Sequence, residues 1–179
     1  MSTSQELFVR GLVLEDETHG PQVCLGALAT SMPPRGGGPD LVGWDWSAVD
    51  GSERVGLATM GYYLVVGTYA GGSLTVTRPP VVATFETERE TLAREERERR
   101  WLASWAEPVG WSDAARERVV DQLWDQSDVL MVDEQENGLL VVEVAHDDGT
   151  LQSRLAAAYP GGLVAVRSAL RPVGELTQR

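Results

Sequence analysis

The chain has 179 residues, 42% of them hydrophobic and 23% charged, a globular composition with enough length for one cored domain or two small ones. Its formal net charge is −12, and all 15 basic residues are arginine, with no lysine anywhere. A chain this acidic repels nucleic-acid phosphates and anionic membrane surfaces, so neither nucleic acid nor membrane is an expected partner.

No apolar run approaches the roughly eighteen residues of a membrane-spanning helix. The opening stretch, MSTSQELFVRGLVLEDE, lacks a basic region followed by an apolar one, and the expected location is the cytoplasm. A single cysteine, Cys24, excludes an intramolecular disulfide and a cysteine-rich zinc site, and no cofactor is expected.

Texture changes near residue 85. The expected organisation is a small all-β barrel module over 1–84, of which an OB-like barrel is one candidate, followed by an α+β module over 85–179 packed with it. Five strands are predicted in the first: FVRGLVLED, QVCLGALATS, LVGWDWSAV, YYLVVGTYA and SLTVTRPPVV. ETHGP and DGSE read as turns between them. Gly71-Gly72 closes the last hairpin, because a two-residue turn there wants positive φ.

The second module opens with a helix over 88–100, started by the capping-box spacing of Thr87 and Glu90. Its charges pair at i,i+4 (Glu90–Arg94, Glu95–Arg99, Glu96–Arg100), and Leu92 is its only large apolar residue before Trp101, so a solvated helix is predicted. Trp101 and Trp105 share a face and serve as a dock. Ser112 is predicted to cap a second helix with an apolar stripe of Ala115, Val119, Val120, Leu123 and Trp124. DVLMVD and GLLVVEVA read as strands joined through Asn137-Gly138. A short helix then starts near Asp148 or Thr150, and LVAVRSAL is a final strand, giving the order α-α-β-β-α-β.

The stretches VCLGALATSMPPRGGGPDLVGWDW, GYYLVVGTYAGGSLTVT and DDGTLQSRLAAAYPGGLVAVRSALRPV together resemble a group of uncharacterised actinobacterial proteins. That group carries the pattern Leu-Cys-Leu-Gly, Pro-Pro-x-Cys-x-Gly-Pro, Gly-Trp-Asp-Trp and Gly-Thr-Tyr-x-Gly, and many of its members look secreted or lipid-anchored. The resemblance implies the same fold division and carries no activity. Where the pattern has a second cysteine this chain has Gly36, so the disulfide it would imply for Cys24 has no partner, which suits a reducing compartment.

Candidate chemistry is sparse. PPRGGGP, with Arg35 and Gly37, could cradle an anion on backbone amides, but it lacks the Gly-Lys-Ser/Thr of a phosphate loop and leads into a strand rather than a helix. It is read as a corner. In a strand, Trp44 and Trp46 would share one face and Asp45 the other; the expectation is core packing, with a stacking platform for a sugar, base or cation as the alternative. His19 and His146 lie in polar turns and are expected to be exposed, with no metal-ligand spacing between them. Cys24, between Val23 and Leu25, reads as a buried, inert thiol. No catalytic residue is assigned.

Two functions follow. The first is a non-catalytic protein-interaction or accessory module whose contact surface is Arg94, Arg97, Arg100, Trp101 and Trp105. The second is a binder of a sugar, nucleotide or metal, or an enzyme built on one, using Arg35, Gly37, Trp44 and Trp46.

Overall fold

In a computed structural model, which describes residues 5–25, 37–84 and 87–176, the chain is a mixed α+β protein with three helices and a large sheet. It divides into two compact units, one of Met1–Thr84 with Ser168–Arg179 and one of Phe85–Arg167.

The first unit holds β1 (Glu6–Glu15), β2 (Gln22–Val23), β3 (Asp40–Val42), β4 (Glu53–Val55), β5 (Ala58–Ala70), β6 (Ser73–Val76) and β7 (Val81–Val82). Strands β1 and β5 pair antiparallel from Glu6–Thr68 to Glu15–Thr59, and alternate residues of both, including Leu7, Val9, Val13, Tyr63 and Val65, are buried. Further pairings run β1–β2, β2–β3, β3–β6 and β6–β5, with β3–β6 the parallel one, and β4 pairs with β5. This circuit is uneven, because β2 and β3 meet only at Gln22 and Asp40. The hairpin from β5 to β6 turns on Gly71 and Gly72, both at positive φ, as the sequence predicted.

Four features depart from the sequence reading. The predicted third strand stops at Val42; Gly43 turns the chain at φ +83, and Trp46–Ala48 form a 3₁₀ turn capped by Asp45. The stretch read as a turn, DGSE, leads into the added strand β4. The fifth strand breaks at Arg78-Pro79-Pro80, where two consecutive residues lack an N–H for a ladder, and resumes as β7 beside β5. The C-terminal segment also leaves the second module: β11 (Arg171–Pro172) pairs with Leu7 and Phe8 of β1. The last part of the predicted second strand, Gly26–Ser31, lies outside the described residues.

In the second unit, α1 (Glu88–Ala103), α2 (Asp113–Trp124) and α3 (Thr150–Ala158) flank a three-stranded sheet ordered β10 (Val164–Ser168), β9 (Leu140–Val144), β8 (Val129–Glu134). Strand alternation sorts the two faces. Leu140, Val142 and Val144 of β9 pack with Val119 and Leu123 of α2 and Leu155 of α3, whereas Leu139, Val141 and Ala165 meet Trp101, Leu102 and Trp105 of α1 and the residues just after it. Trp124, predicted in the stripe of α2, is 50% exposed. It lies five positions beyond Val119, which on a helix carries it off the buried stripe by more than a quarter turn.

The three helix starts read from sequence are capped in different ways. Thr87 forms the full capping box, its hydroxyl accepting from Glu90 N–H at 3.3 Å while the Glu90 carboxylate accepts from Thr87 N–H at 3.0 Å. Ser112 occupies the N-cap position of α2, but its side chain makes no capping bond. At α3 the N-cap is Gly149 at φ +98, and the free amides are met from upstream: Asp147 accepts from Leu151 and Gln152, and Asp148 from Thr150.

Candidate functional site

The glycine run of the first unit is a close backbone crossing. A Cβ on Gly38 would stand 2.0 Å from the Val23 carbonyl oxygen, so only glycine lets the chain pass β2 here. Gly37 is exposed and bridges to Leu25, whose N–H donates to Gly37 O at 2.8 Å. Arg35 and Gly36 lie outside the described residues.

Immediately after it, Trp44 and Trp46 form an aromatic cluster with Tyr63 of β5. The ring centroids are 5.2 Å apart for the two tryptophans, 5.0 Å for Trp44–Tyr63 and 6.2 Å for Trp46–Tyr63, all edge to face. Tyr63 is fully buried and its hydroxyl donates to Asp50 O at 2.8 Å; both tryptophans are half-buried. The Trp46 indole N–H donates to the Glu15 carboxylate at the end of β1. The Trp44 indole nitrogen is buried and has no hydrogen-bond partner among the described residues. Asp45 points outward, its carboxylate accepting from the Ser47 hydroxyl at 2.7 Å and N–H at 2.8 Å, bonds that hold it below the ordinary carboxylate range.

The two indoles therefore meet edge to face and do not form a flat platform. Tyr63 and Glu15, which complete the cluster, were missed in the sequence because both come from strands remote along the chain. The only local signal was Gly61, two residues before Tyr63 and on the same strand face, where a Cβ would strike the folded-back ring at 2.6 Å.

The second candidate surface is α1. Trp101 and Trp105 meet edge to face at 5.8 Å and anchor the end of the helix against Leu139, Val141 and Ala165. Arg167 of β10 adds a bridge, pairing with Glu98 and, at 2.7 Å, with Glu143 of β9. Before Glu98 the helix has no buried residue, and Leu92 is 58% exposed.

The three arginines assigned to this surface are not brought onto one face. Residues three apart on a helix recede by about 60° per step. Arg94 accordingly turns toward Glu98, at 3.8 Å, on the anchored side, while Arg100 reaches Glu96 at 3.3 Å and Arg97 is exposed between them. The predicted i,i+4 pair Glu96–Arg100 forms, and Arg99 also bonds Glu96.

No family model, no curated protein and no solved structure matches this chain. Its reading rests on its own geometry. Cys24 is buried and its thiol is pushed up by burial, the environment of an unreactive cysteine. His19 is exposed beside Asp16 and Thr18, whereas His146, expected to be exposed, is half-buried just after β9. Among the described residues no three His, Cys, Asp or Glu side chains converge as metal ligands, and no helix is long and apolar enough to cross a membrane.

Proposed function

We propose that this protein is a non-catalytic, acidic interaction module of the cytoplasm that acts by protein–protein contact. The observation that carries this reading is α1, a helix whose core contacts among the described residues come from its last turns, with about ten residues of charged, solvated surface preceding Glu98. A helix polar all round gains little from its own i,i+4 pairs, so contact with another protein gives such a surface a purpose.

In this reading the first unit is an OB-like barrel used as a scaffold. The circuit β1-β2-β3-β6-β5, returning to β1 with one parallel pair, supports that, as does the long β1 that pairs with both β2 and β5. A free, buried Cys24 thiol suits a reducing compartment. The test is affinity capture from the source cell with the intact chain. One protein is expected near stoichiometry, and reversing Arg94, Arg97 and Arg100 to glutamate should weaken its capture. Capture unchanged by those reversals would reject α1 as the contact.

The second reading, a small-ligand binder at Trp44 and Trp46, draws on the partnerless Trp44 indole N–H. It requires quenching of indole fluorescence by a sugar, nucleotide or metal, abolished in Trp44→Ala.

A further inference from the structure

The two edges of the three-stranded sheet in the second unit are treated differently. Leu140 N–H donates to Leu163 O at 2.8 Å, so the groups of Leu163 face β9 and those of Val164 and Val166 face away, along the outer edge of β10. That edge is filled by one side chain. Gln152 of α3 accepts from Val166 N–H at 2.7 Å and donates to Val164 O at 3.1 Å, as a neighbouring strand's peptide group would.

The opposite edge, β8, has no such plug. Gln135 N–H donates to Leu139 O at 2.8 Å, and the β8–β9 register then makes Asp133–Val141 and Met131–Glu143 the hydrogen-bonded pairs. The intervening residues, Val132 and Glu134, therefore direct their N–H and C=O groups away from β9. Leu140, opposite Glu134, confirms the alternation, since its own N–H points to β10. Among the described residues nothing pairs with this edge.

The stretch that carries this edge is acidic. From Asp121 to Glu136 the chain has six acidic residues and no basic one. Of these six, Glu134 pairs with Arg116 of α2, at 2.9 Å, which also bridges Asp113; Arg154 of α3 donates to Gln126 at 3.1 Å, and the Asp133 carboxylate accepts from the Gln135 amide. Asp121, Asp125, Asp128, Asp133 and Glu136 are all exposed. A second copy of this chain, itself at −12, would bring like charge to the same edge.

We infer that the open edge of β8 takes an extended cationic segment of a partner protein as an added strand. The backbone groups of Val132 and Glu134 supply the hydrogen bonds, and basic side chains of the added strand lie beside Asp133 and Asp128. This rests on the reading of the chain as an interaction module but uses a surface other than α1.

The test is amide hydrogen exchange on the intact chain with three synthetic peptides: one alternating lysine and valine, one with glutamate in place of lysine, and the lysine peptide with alternate backbone nitrogens methylated. The lysine peptide should slow exchange at Val132 and Glu134 by about tenfold when present at roughly ten times its dissociation constant. The glutamate and methylated peptides should not. Val132→Pro, which removes an outward donor, and Asp133→Arg should each abolish the effect. No slowing with the lysine peptide, or equal slowing with the methylated one, overturns the proposal, the latter by reducing it to charge attraction. Slowing that rises with protein concentration and without peptide assigns the edge to a second copy and also overturns it. Failure here with α1-dependent capture intact rejects the edge alone; success here with no capture through α1 rejects only that helix.

Discussion

The side-chain amide of Gln152 and the backbone of Val166 meet as two peptide groups of adjacent strands do, Oε1 accepting at 2.7 Å. The same side chain reaches Val164 O, so one residue on α3 closes the outer edge of β10. Gln152→Ala should destabilise the second unit by about 1–2 kcal/mol, because a half-buried N–H loses its acceptor. Gln152→Glu keeps the acceptor and loses the donor, and should cost less at neutral pH than alanine. Urea denaturation of both variants measures the difference, and amide exchange at Val166 should accelerate in the alanine variant.

Asp16 makes the turn after β1 sensitive to acid. Its carboxylate accepts from the Thr18 hydroxyl at 2.6 Å, Thr18 N–H at 2.7 Å and His19 N–H at 3.0 Å, and these bonds bring its pKa down from 3.8 to about 2. A depressed folded-state value means that the stabilisation is complete above the unfolded value and fades as pH falls from about 4 to about 2. NMR titration of the Asp16 carboxyl should give a midpoint near the lower figure. Asp16→Asn should flatten the pH dependence of the turn's amide shifts in that window.

Gly61 and Tyr63 are bound by space. A Cβ at Gly61 would lie 2.6 Å from the tyrosine ring, which in turn packs edge to face on Trp44 and Trp46. Gly61→Ala should therefore cost about 1–3 kcal/mol by displacing the ring. The near-ultraviolet circular dichroism of the aromatic cluster should fall with it. Tyr63→Phe, which keeps the ring and removes the hydroxyl that bonds Asp50 O and Ser52, should cost about 1 kcal/mol and leave that signal.

Among the described residues, the core contacts of α1 come from its end. Trp101→Ala removes half of the Trp101–Trp105 pair against Leu139, Val141 and Ala165, and should cost about 2–4 kcal/mol, less than a fully buried tryptophan. In the unaltered protein, amides of residues 91–97 should exchange faster than those of 98–103, because the packing of α1 onto the core lies in its later turns. Equal protection along the helix would show that the charged turns are held by more than their own backbone.

Local chemistry was legible wherever a few neighbouring residues determine a conformation. The Thr87–Glu90 capping box, the Gly71-Gly72 hairpin and the Asn137-Gly138 turn are set by adjacent groups within hydrogen-bond reach, and each stands where the sequence placed it. The strand alternation of Leu139 to Val144 likewise sorts itself onto two faces without outside help. The Trp44-Asp45-Trp46 segment was read as a strand because its hydrophobic alternation fits one. The turn at Gly43 and the Asp45 cap make it a 3₁₀ corner instead, since an aspartate two residues before an unpaired amide competes with the ladder.

What only the tertiary structure decided is every relationship that joins distant stretches. Composition and pattern alone determined an acidic α+β chain, its change of texture near residue 85, its helix starts and its tight turns. They could not pair β1 with β5, return Arg171 and Pro172 to Leu7 and Phe8, seat Tyr63 beside Trp44, or set Gln152 along β10 while leaving β8 open. The physical reason is range. Capping and turn propensities act over a few residues, whereas strand pairing and side-chain packing are chosen by the whole chain closing on itself, where many weak contacts compete at once.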